Sequence, residues 1–382
     1  KGIVEQCDRL LSLNKKIILY SCLRLSKRMS MAPIRDEKPD DFIQVMVCGP
    51  PKEIKNSKYL VSEGYSDFNI KEKLIVGDYY SHHNFVLNYL RPSVFVSGIT
   101  PNLSRRGIRV PKHTKKAHLL YGIPGTNVFA TKEMKSDIPN WIGSDLYCGA
   151  GKHYAKFISK MAGEGKNIIE NVCPQFDLLK NITNKHAEDT KNFSKTILFV
   201  AHSVGTRSNC LDNNEDYYRT AIYLGRLAKQ HNWLVFIKPR DTKYDIQQFL
   251  IDNREYNKYI KDYDDLRQNE NICFVDFEET IYNYFFCDNV LINGTSTAEL
   301  EACAINKPVT IVRTRSDLDS LSTIEFGAGN LVREGTIGSL ERGIFDSSAD
   351  REKQSELLKY HNITVDGMMW KRAKNAIIEL LG

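Results

Sequence analysis

The second half of the chain alternates short apolar runs, rich in β-branched and aromatic residues, with helix-length polar stretches. The runs cover residues 197–201, 233–238, 272–277, 289–293 and 309–313. A strand that faces water alternates apolar with polar residues, whereas a near-continuous apolar strand is covered on both faces, as in a parallel sheet. Between the first two runs, residues 215–231 carry Tyr218, Ile222, Leu224, Leu227 and Ala228 at helical spacing. The pattern predicts an α/β domain in which helices cover both faces of a parallel sheet.

The first half repeats the theme, with candidate strands at 42–47, 74–76, 94–96, 118–121 and 168–172. At roughly 150 residues per domain, a chain of 382 residues accommodates two such domains. The polar, aperiodic stretch 183–194 reads as the linker, giving domains 1–193 and 194–365. The tail 366–382 is patterned as a helix through Met369, Trp370, Ala373, Ile377 and Leu380, and fits against either domain. Residues 17–23 form an apolar run bracketed by Lys15, Lys16, Arg24, Lys27 and Arg28. The run is too short to span a bilayer or to serve as a signal peptide. It is expected to be the first helix packed on its own domain, with a basic amphipathic surface helix as the alternative.

Composition narrows the partners. An excess of 53 Lys+Arg over 47 Asp+Glu is too small for a dedicated nucleic-acid binder, but leaves room for a local basic patch. The stretch 105–116 holds Arg105, Arg106, Arg109, Lys112, Lys115 and Lys116 without an interleaved aromatic. It suits a loop meeting anionic headgroups or a phosphate-rich polymer, and a plain solvated loop is the alternative. Nine scattered cysteines without a CxxC point to reduced, mostly buried thiols and a cytoplasmic chain. The pair His82-His83 has no carboxylate spacing that makes a metal site, and no cofactor or protein-held metal is expected.

Residues 293–308 (NGTSTAELEACAINKP) carry the strongest chemical signal. A buried strand ends at Asn293, Gly294 allows close backbone approach, and Thr295, Ser296 and Thr297 open a helix. Free N–H groups at the positive end of a helix dipole make a phosphate seat. Ser296 with Glu299 three residues on also satisfies a capping box that needs no ligand. The helix is expected to stop at Asn306, a residue tolerated in the left-handed conformation.

The string Glu301-Ala302-Cys303-Ala304-Ile305-Asn306-Lys307-Pro308 resembles the E-A-x-A-x-G-x-P signature of GT-B glycosyltransferases, with Asn306 in place of the usual Gly. Two further segments resemble the CDP-glycerol glycerophosphotransferases that build teichoic acids and capsules. Residues 173–180 (CPQFDLLK) are similar to that family's G-Y-P-R-N-D-x-L, and 288–296 (DNVLINGTS) to its D-x-L-I-T-D-Y-S-S. Residues 197–201 sit where that family has the first strand of its donor domain, and 234–240 at its K-L-H-P strand, with Lys238 and Pro239 retained. The resemblance implies two Rossmann-like domains whose parallel sheets face a central cleft. It places the ribose of a nucleotide donor at Glu301 and its phosphates at Gly294, Thr295, Ser296 and Thr297.

Both catalytic histidines of that family are replaced. Tyr121 stands in the H-G-T-P-L-K segment, and the K-L-H-P segment reads Ile237-Lys238-Pro239-Arg240. Lys238 and Arg240, just after a strand, suit clamping a pyrophosphate. His202 follows the strand at 197–201 and is the candidate base, with His118 and Tyr121 on the acceptor side. Asp145 and Asp177 are further carboxylate candidates, although a solvated or helix-capping role is commoner for either.

The expected function is transfer of a polyol-phosphate or sugar unit from a nucleotide-diphosphate-activated donor, with a CDP-polyol favoured. The acceptor would be a hydroxyl on a cell-surface polysaccharide or lipid-linked precursor at the inner face of the membrane. A nucleotide-sugar glycosyltransferase, a non-catalytic GT-B paralogue and a nucleotide-sugar epimerase are the alternatives.

Overall fold

The computed structural model describes residues 2–22, 34, 41–48, 70, 72–75, 81–97, 108–119, 143–151, 158–159, 167–182, 187–201, 211–238, 254–275, 280–294, 296–313 and 322–382. The chain divides into two compact units, the second spanning Asn181–Lys359 and the first taking up most of the remainder, including Tyr360–Gly382.

The N-terminal unit is built on β1 (Lys16–Cys22), β2 (Phe42–Cys48), β3 (Glu72–Ile75), β4 (Val94–Ser97), β5 (Lys115–Leu119), β6 (Leu146–Cys148) and β7 (Asn167–Ile169), with helices α1 (Ile3–Leu11) and α2 (Ser81–Leu90). Its sheet is parallel throughout, in the order β3-β2-β1-β4-β5-β6-β7. The C-terminal unit carries β8 (Lys195–Val200), β9 (Trp233–Lys238), β10 (Ile272–Phe274), β11 (Asn289–Asn293), β12 (Val309–Val312) and β13 (Asn330–Val332). Its helices are α3 (Leu211–His231), α4 (Ile260–Arg267), α5 (Thr297–Ala304), α6 (Ser322–Glu325), α7 (Ile337–Phe345) and α8 (Arg351–Tyr360). Its strands run parallel in the order β10-β9-β8-β11-β12-β13. The tail helix α9 (Met369–Glu379) belongs to the N-terminal unit.

Alternation along each strand sorts the cores. In the N-terminal unit Ile18, Tyr20, Val94, Val96, Ala117 and Leu119 pack with Trp370, Ala373 and Ile377 of α9. On the opposite face Ile17, Leu19, Val45 and Phe95 pack with Leu10 of α1 and Val86, Leu87 and Leu90 of α2. In the C-terminal unit α3, α4 and α7 cover one face, with the Tyr217 ring stacked on Phe199 at 5.8 Å.

Residues 17–23 are the clearest correction to the sequence reading. Instead of a helix, residues 16–22 form β1, paired with β2 on one side and β4 on the other. The physical reason lies in the run itself: Ile17 to Tyr20 is apolar without a helical period, so both its faces are buried, which a central parallel strand accommodates. The basic stretch 105–116 is also not all loop, because Lys115 and Lys116 open β5. The three-residue strands β6 and β13 have no sequence signal of their own. Among the described residues no helix is long and apolar enough to cross a membrane.

Candidate functional site

Strand order reverses direction once in each sheet, between β1 and β4 and between β8 and β11. Open parallel sheets bind ligands outside the strand carboxyl ends at such a point. In the C-terminal unit this position is formed by the ends of β8 and β11, and the 293–308 segment starts there.

All five residues of β11 are buried. Gly294 then adopts φ +82, a left-handed conformation in which a Cβ would be strained, and its N–H donates to the Val312 carbonyl at 3.3 Å. Ser296 is extended and caps α5, its Oγ accepting from the Ala298 N–H at 3.3 Å. Thr297 is the first helical residue. The helix ends as the sequence predicts. Asn306 has φ +57, the Asn306 N–H donates to the Cys303 carbonyl and the Lys307 N–H to the Ala302 carbonyl, both at 3.0 Å. This paired closure is the Schellman motif.

Two carboxylates on α5 are buried and differ in their surroundings. Glu301 Oε1 accepts from the Tyr282 hydroxyl at 2.7 Å. Tyr282 lies on the short 3-10 helix Ile281–Tyr284, whose Thr280 cap accepts from the Tyr282 N–H. Glu299 Oε2 accepts from the Thr323 hydroxyl at 2.7 Å, and its Oε1 has no hydrogen-bond partner among the described residues. Burial pushes the Glu299 carboxyl up to about 7, against the opposing pull of Thr323, the Ser296 backbone and the Arg313 guanidinium. A carboxyl raised above its ordinary 4.5 contributes stability that is complete below that value and is lost as pH rises through about 7. The unfolding free energy of the C-terminal unit should therefore fall across this window by on the order of 3 kcal/mol. Glu299→Gln should flatten that slope, as read by denaturant titration at several pH values.

Other candidates fall as follows. Lys238 ends β9, is buried, and shares a register row with Val200 of β8 and Ile292 of β11. Its Cα is thus about 10 Å, two strand spacings, from β11. His118 is buried on β5 of the other unit, its ring 6.2 Å from that of Tyr147. His202, Tyr121, Arg240 and Thr295 lie outside the described residues. The structure therefore gathers Gly294, Ser296, Thr297 and Glu301 on one strand–turn–helix.

Asp145 and Asp177 are not placed for base chemistry. Asp145 precedes β6, at the amino end of the sheet, where its Oδ2 accepts from the Lys116 N–H at 2.7 Å. Asp177 accepts from the backbone of α9 at both oxygens, at 3.2 Å and 2.7 Å.

Sequence reading missed Tyr282, whose partnership with Glu301 joins residues 19 apart and has no motif. It also missed Asn293, which is buried with neither side-chain amide atom hydrogen-bonded among the described residues. Its place at the strand end, before a left-handed Gly, was the available signal.

No protein-family profile matches this chain, and no curated protein does. Solved structures do match, over nearly its whole length. A putative UDP-N-acetylglucosamine 2-epimerase from Listeria monocytogenes superposes with a TM-score of 0.62 at 14% identity, covering 96% of each chain. The S. aureus MnaA–UDP co-structure gives 0.61 at 14% identity, covering 95% of this chain and 96% of that one. The wall teichoic acid polymerase TagF, soaked with CDPG, gives 0.59 at 13% identity, covering 96% and 88%.

The fold is GT-B-like. At these identities the likeness establishes architecture: two α/β units, each on a parallel sheet. In the GT-B-like frame, the β11–α5 segment is the strand–turn–helix at the reversal point of the C-terminal sheet.

Proposed function

We propose that this chain is an enzyme acting on a nucleoside-diphosphate-activated sugar or polyol, which it holds in the C-terminal unit and transfers to a hydroxyl acceptor. The observation that carries the reading is Glu301, a buried carboxylate oriented by Tyr282 on the helix that follows the Gly294 turn. Such a carboxylate accepts hydrogen bonds from the ribose hydroxyls, while the turn and the amino end of α5 take the phosphates. Gly294, Thr295, Ser296 and Thr297 form that seat, and Lys238 and Arg240 offset charge on the leaving nucleotide.

In the transfer, the acceptor O–H bond breaks and its proton passes to a base, for which His202, directly beyond β8, is the first choice. The acceptor oxygen bonds to the anomeric carbon or to phosphorus. A nucleoside diphosphate then leaves from a sugar donor, or a nucleoside monophosphate from a CDP-polyol, the favoured donor. His118 and Tyr121 are assigned to the acceptor side. The acceptor is a surface polysaccharide or its lipid-linked precursor, reached at a membrane surface through the basic residues of the N-terminal unit.

A second reading is epimerisation of a nucleotide sugar, favoured by the mutual 96% coverage with the Listeria epimerase, which leaves no large segment of either chain unmatched. Calorimetry with UDP and CDP, followed by turnover of UDP- and CDP-linked donors with and without acceptor, separates the two. Product without an acceptor selects epimerisation, and binding without turnover leaves a non-catalytic nucleotide-binding protein. Failure of both nucleotides to bind removes the proposal. His202→Ala should lower turnover by about 10²-fold or more while leaving nucleotide affinity intact; retained turnover excludes His202 as the base.

A further inference from the structure

Glu299 stands in the first turn of α5, two residues beyond Thr297 and two before Glu301. Residues two apart on a helix do not share a face, so Glu299 looks away from Glu301. Its side chain is 0% exposed, its Oε2 accepts from the Thr323 hydroxyl at 2.7 Å, and its Oε1 has no hydrogen-bond partner among the described residues. Cys303, one turn further along α5, shares its face and donates through Sγ to the Ala328 carbonyl at 3.8 Å. Among the described residues, the charged group that acts on Glu299 is Arg313, which directly follows β12. The Cys303 thiol is the titratable neighbour; burial and the Glu299 charge both raise it, so it stays protonated.

A buried carboxylate needs its acceptor positions matched, and here one oxygen is left over. The neutral acid needs less, because its charge is gone and its O–H is a donor. Against burial, the Thr323 hydroxyl, the Ser296 backbone and Arg313 favour the ionised form, and the balance lies at about 7. At neutral pH the chain is thus divided between a charged and an uncharged Glu299, and a modest change in local field moves it. An ionised Glu299 already sets one negative charge against the amino end of α5, where the helix dipole favours an anion. Its Cα is about 3 Å along the helix axis from that of Thr297, well inside the screening length of about 8 Å at physiological salt. A diphosphate seated at the same helix end meets that charge as a repulsion.

We propose that filling the nucleotide seat on α5 is coupled to proton uptake by Glu299, which makes this carboxyl a proton-linked control on donor binding. The proton comes from solvent and adds to the carboxylate, so the helix end carries the diphosphate charge in place of the Glu299 charge. A carboxyl raised above its ordinary value is neutral on the acid side of its titration. Affinity is therefore complete at low pH and falls as pH rises through about 7. This control rests on the nucleotide reading above and adds regulation to it.

Calorimetry of the full chain with UDP-N-acetylglucosamine and with CDP-glycerol tests the coupling, since neither diphosphate has a terminal phosphate that titrates near neutrality. At pH 7, titrations in two buffers of different ionisation enthalpy should show uptake of about 0.4 proton per nucleotide bound. The Kd should rise about fivefold from pH 6 to pH 8. Glu299→Gln mimics the neutral acid at every pH, so it should lose that uptake and bind about fivefold more tightly than the native chain at pH 8. His202 is present in both proteins, so its own titration cancels in the difference. Thr323→Val removes a donor that favours the ionised form and should move the midpoint of the affinity profile up by about one pH unit. Equal proton uptake in the native chain and Glu299→Gln overturns the proposal, as does an unmoved midpoint in Thr323→Val. Binding with either of these results removes the coupling and leaves the nucleotide site. Failure of both nucleotides to bind at any pH removes the site and the coupling together.

Discussion

Glu301→Ala should weaken UDP or CDP binding by about 10- to 100-fold, the size expected when charge-assisted hydrogen bonds worth about 1.5–3 kcal/mol are lost. The carboxylate sits on α5 with its Oε1 already engaged by Tyr282, which fixes the rotamer. Tyr282→Phe should therefore cost a few-fold in affinity, acting only through the orientation of Glu301. Glu301→Gln retains an acceptor and should fall between. The alanine variant takes the Glu301 acceptor away from the buried Tyr282 hydroxyl, so thermal denaturation must accompany the calorimetry. A folded Glu301→Ala protein with unchanged affinity would remove the ribose assignment.

Asp177→Ala should destabilise the N-terminal unit by about 2–4 kcal/mol, combining a lost helix cap with buried N–H groups left unmatched. The side chain of Met368, at the cap position of α9, makes no capping hydrogen bond. The amino end of the helix is closed instead by Asp177, whose Oδ1 accepts from Met369 and Oδ2 from Trp370. Burial raises the Asp177 carboxyl, and those two backbone bonds pull it back down. A negative charge at this end of a helix is also favoured by the dipole. Trp370, Ala373, Ala376 and Ile377 carry α9 into the core, so a weakened cap should appear first as faster amide exchange in the first turn of α9. Asp177→Asn keeps one acceptor and should recover part of the loss. An unchanged denaturation midpoint in Asp177→Ala would show that core packing alone holds α9.

Much of the C-terminal unit was legible from residue order. Strands β9, β11 and β12 are buried throughout and β8 in all but its first residue, so each is a short apolar run with nothing to mask it. The close of α5 at Asn306 was equally legible, because a left-handed residue followed by Lys-Pro is a local requirement of the backbone. The N-terminal unit was harder for the same kind of reason. β1 reads as an isolated apolar run between basic flanks, and only β2 and β4 on either side make it a strand. β6, like β13 of the C-terminal unit, is three residues long, too short for any period to register.

The candidate sites divide along the same line. The strand–turn–helix at Gly294–Thr297 and the carboxylate Glu301 stand within a few residues of one another, so spacing alone brings them to one end of one sheet. Sequence by itself thus determined the α/β class, the turn and the helix that bears Glu301. Tertiary structure decided which side chains those groups meet: Tyr282 on Glu301, Asp177 on α9, and Thr323 on Glu299. These pairs lie 19, 193 and 24 residues apart. Hydrogen bonds at such separations depend on how strands are ordered and where helices dock, which follow from burial over a whole unit and leave no local period in the chain.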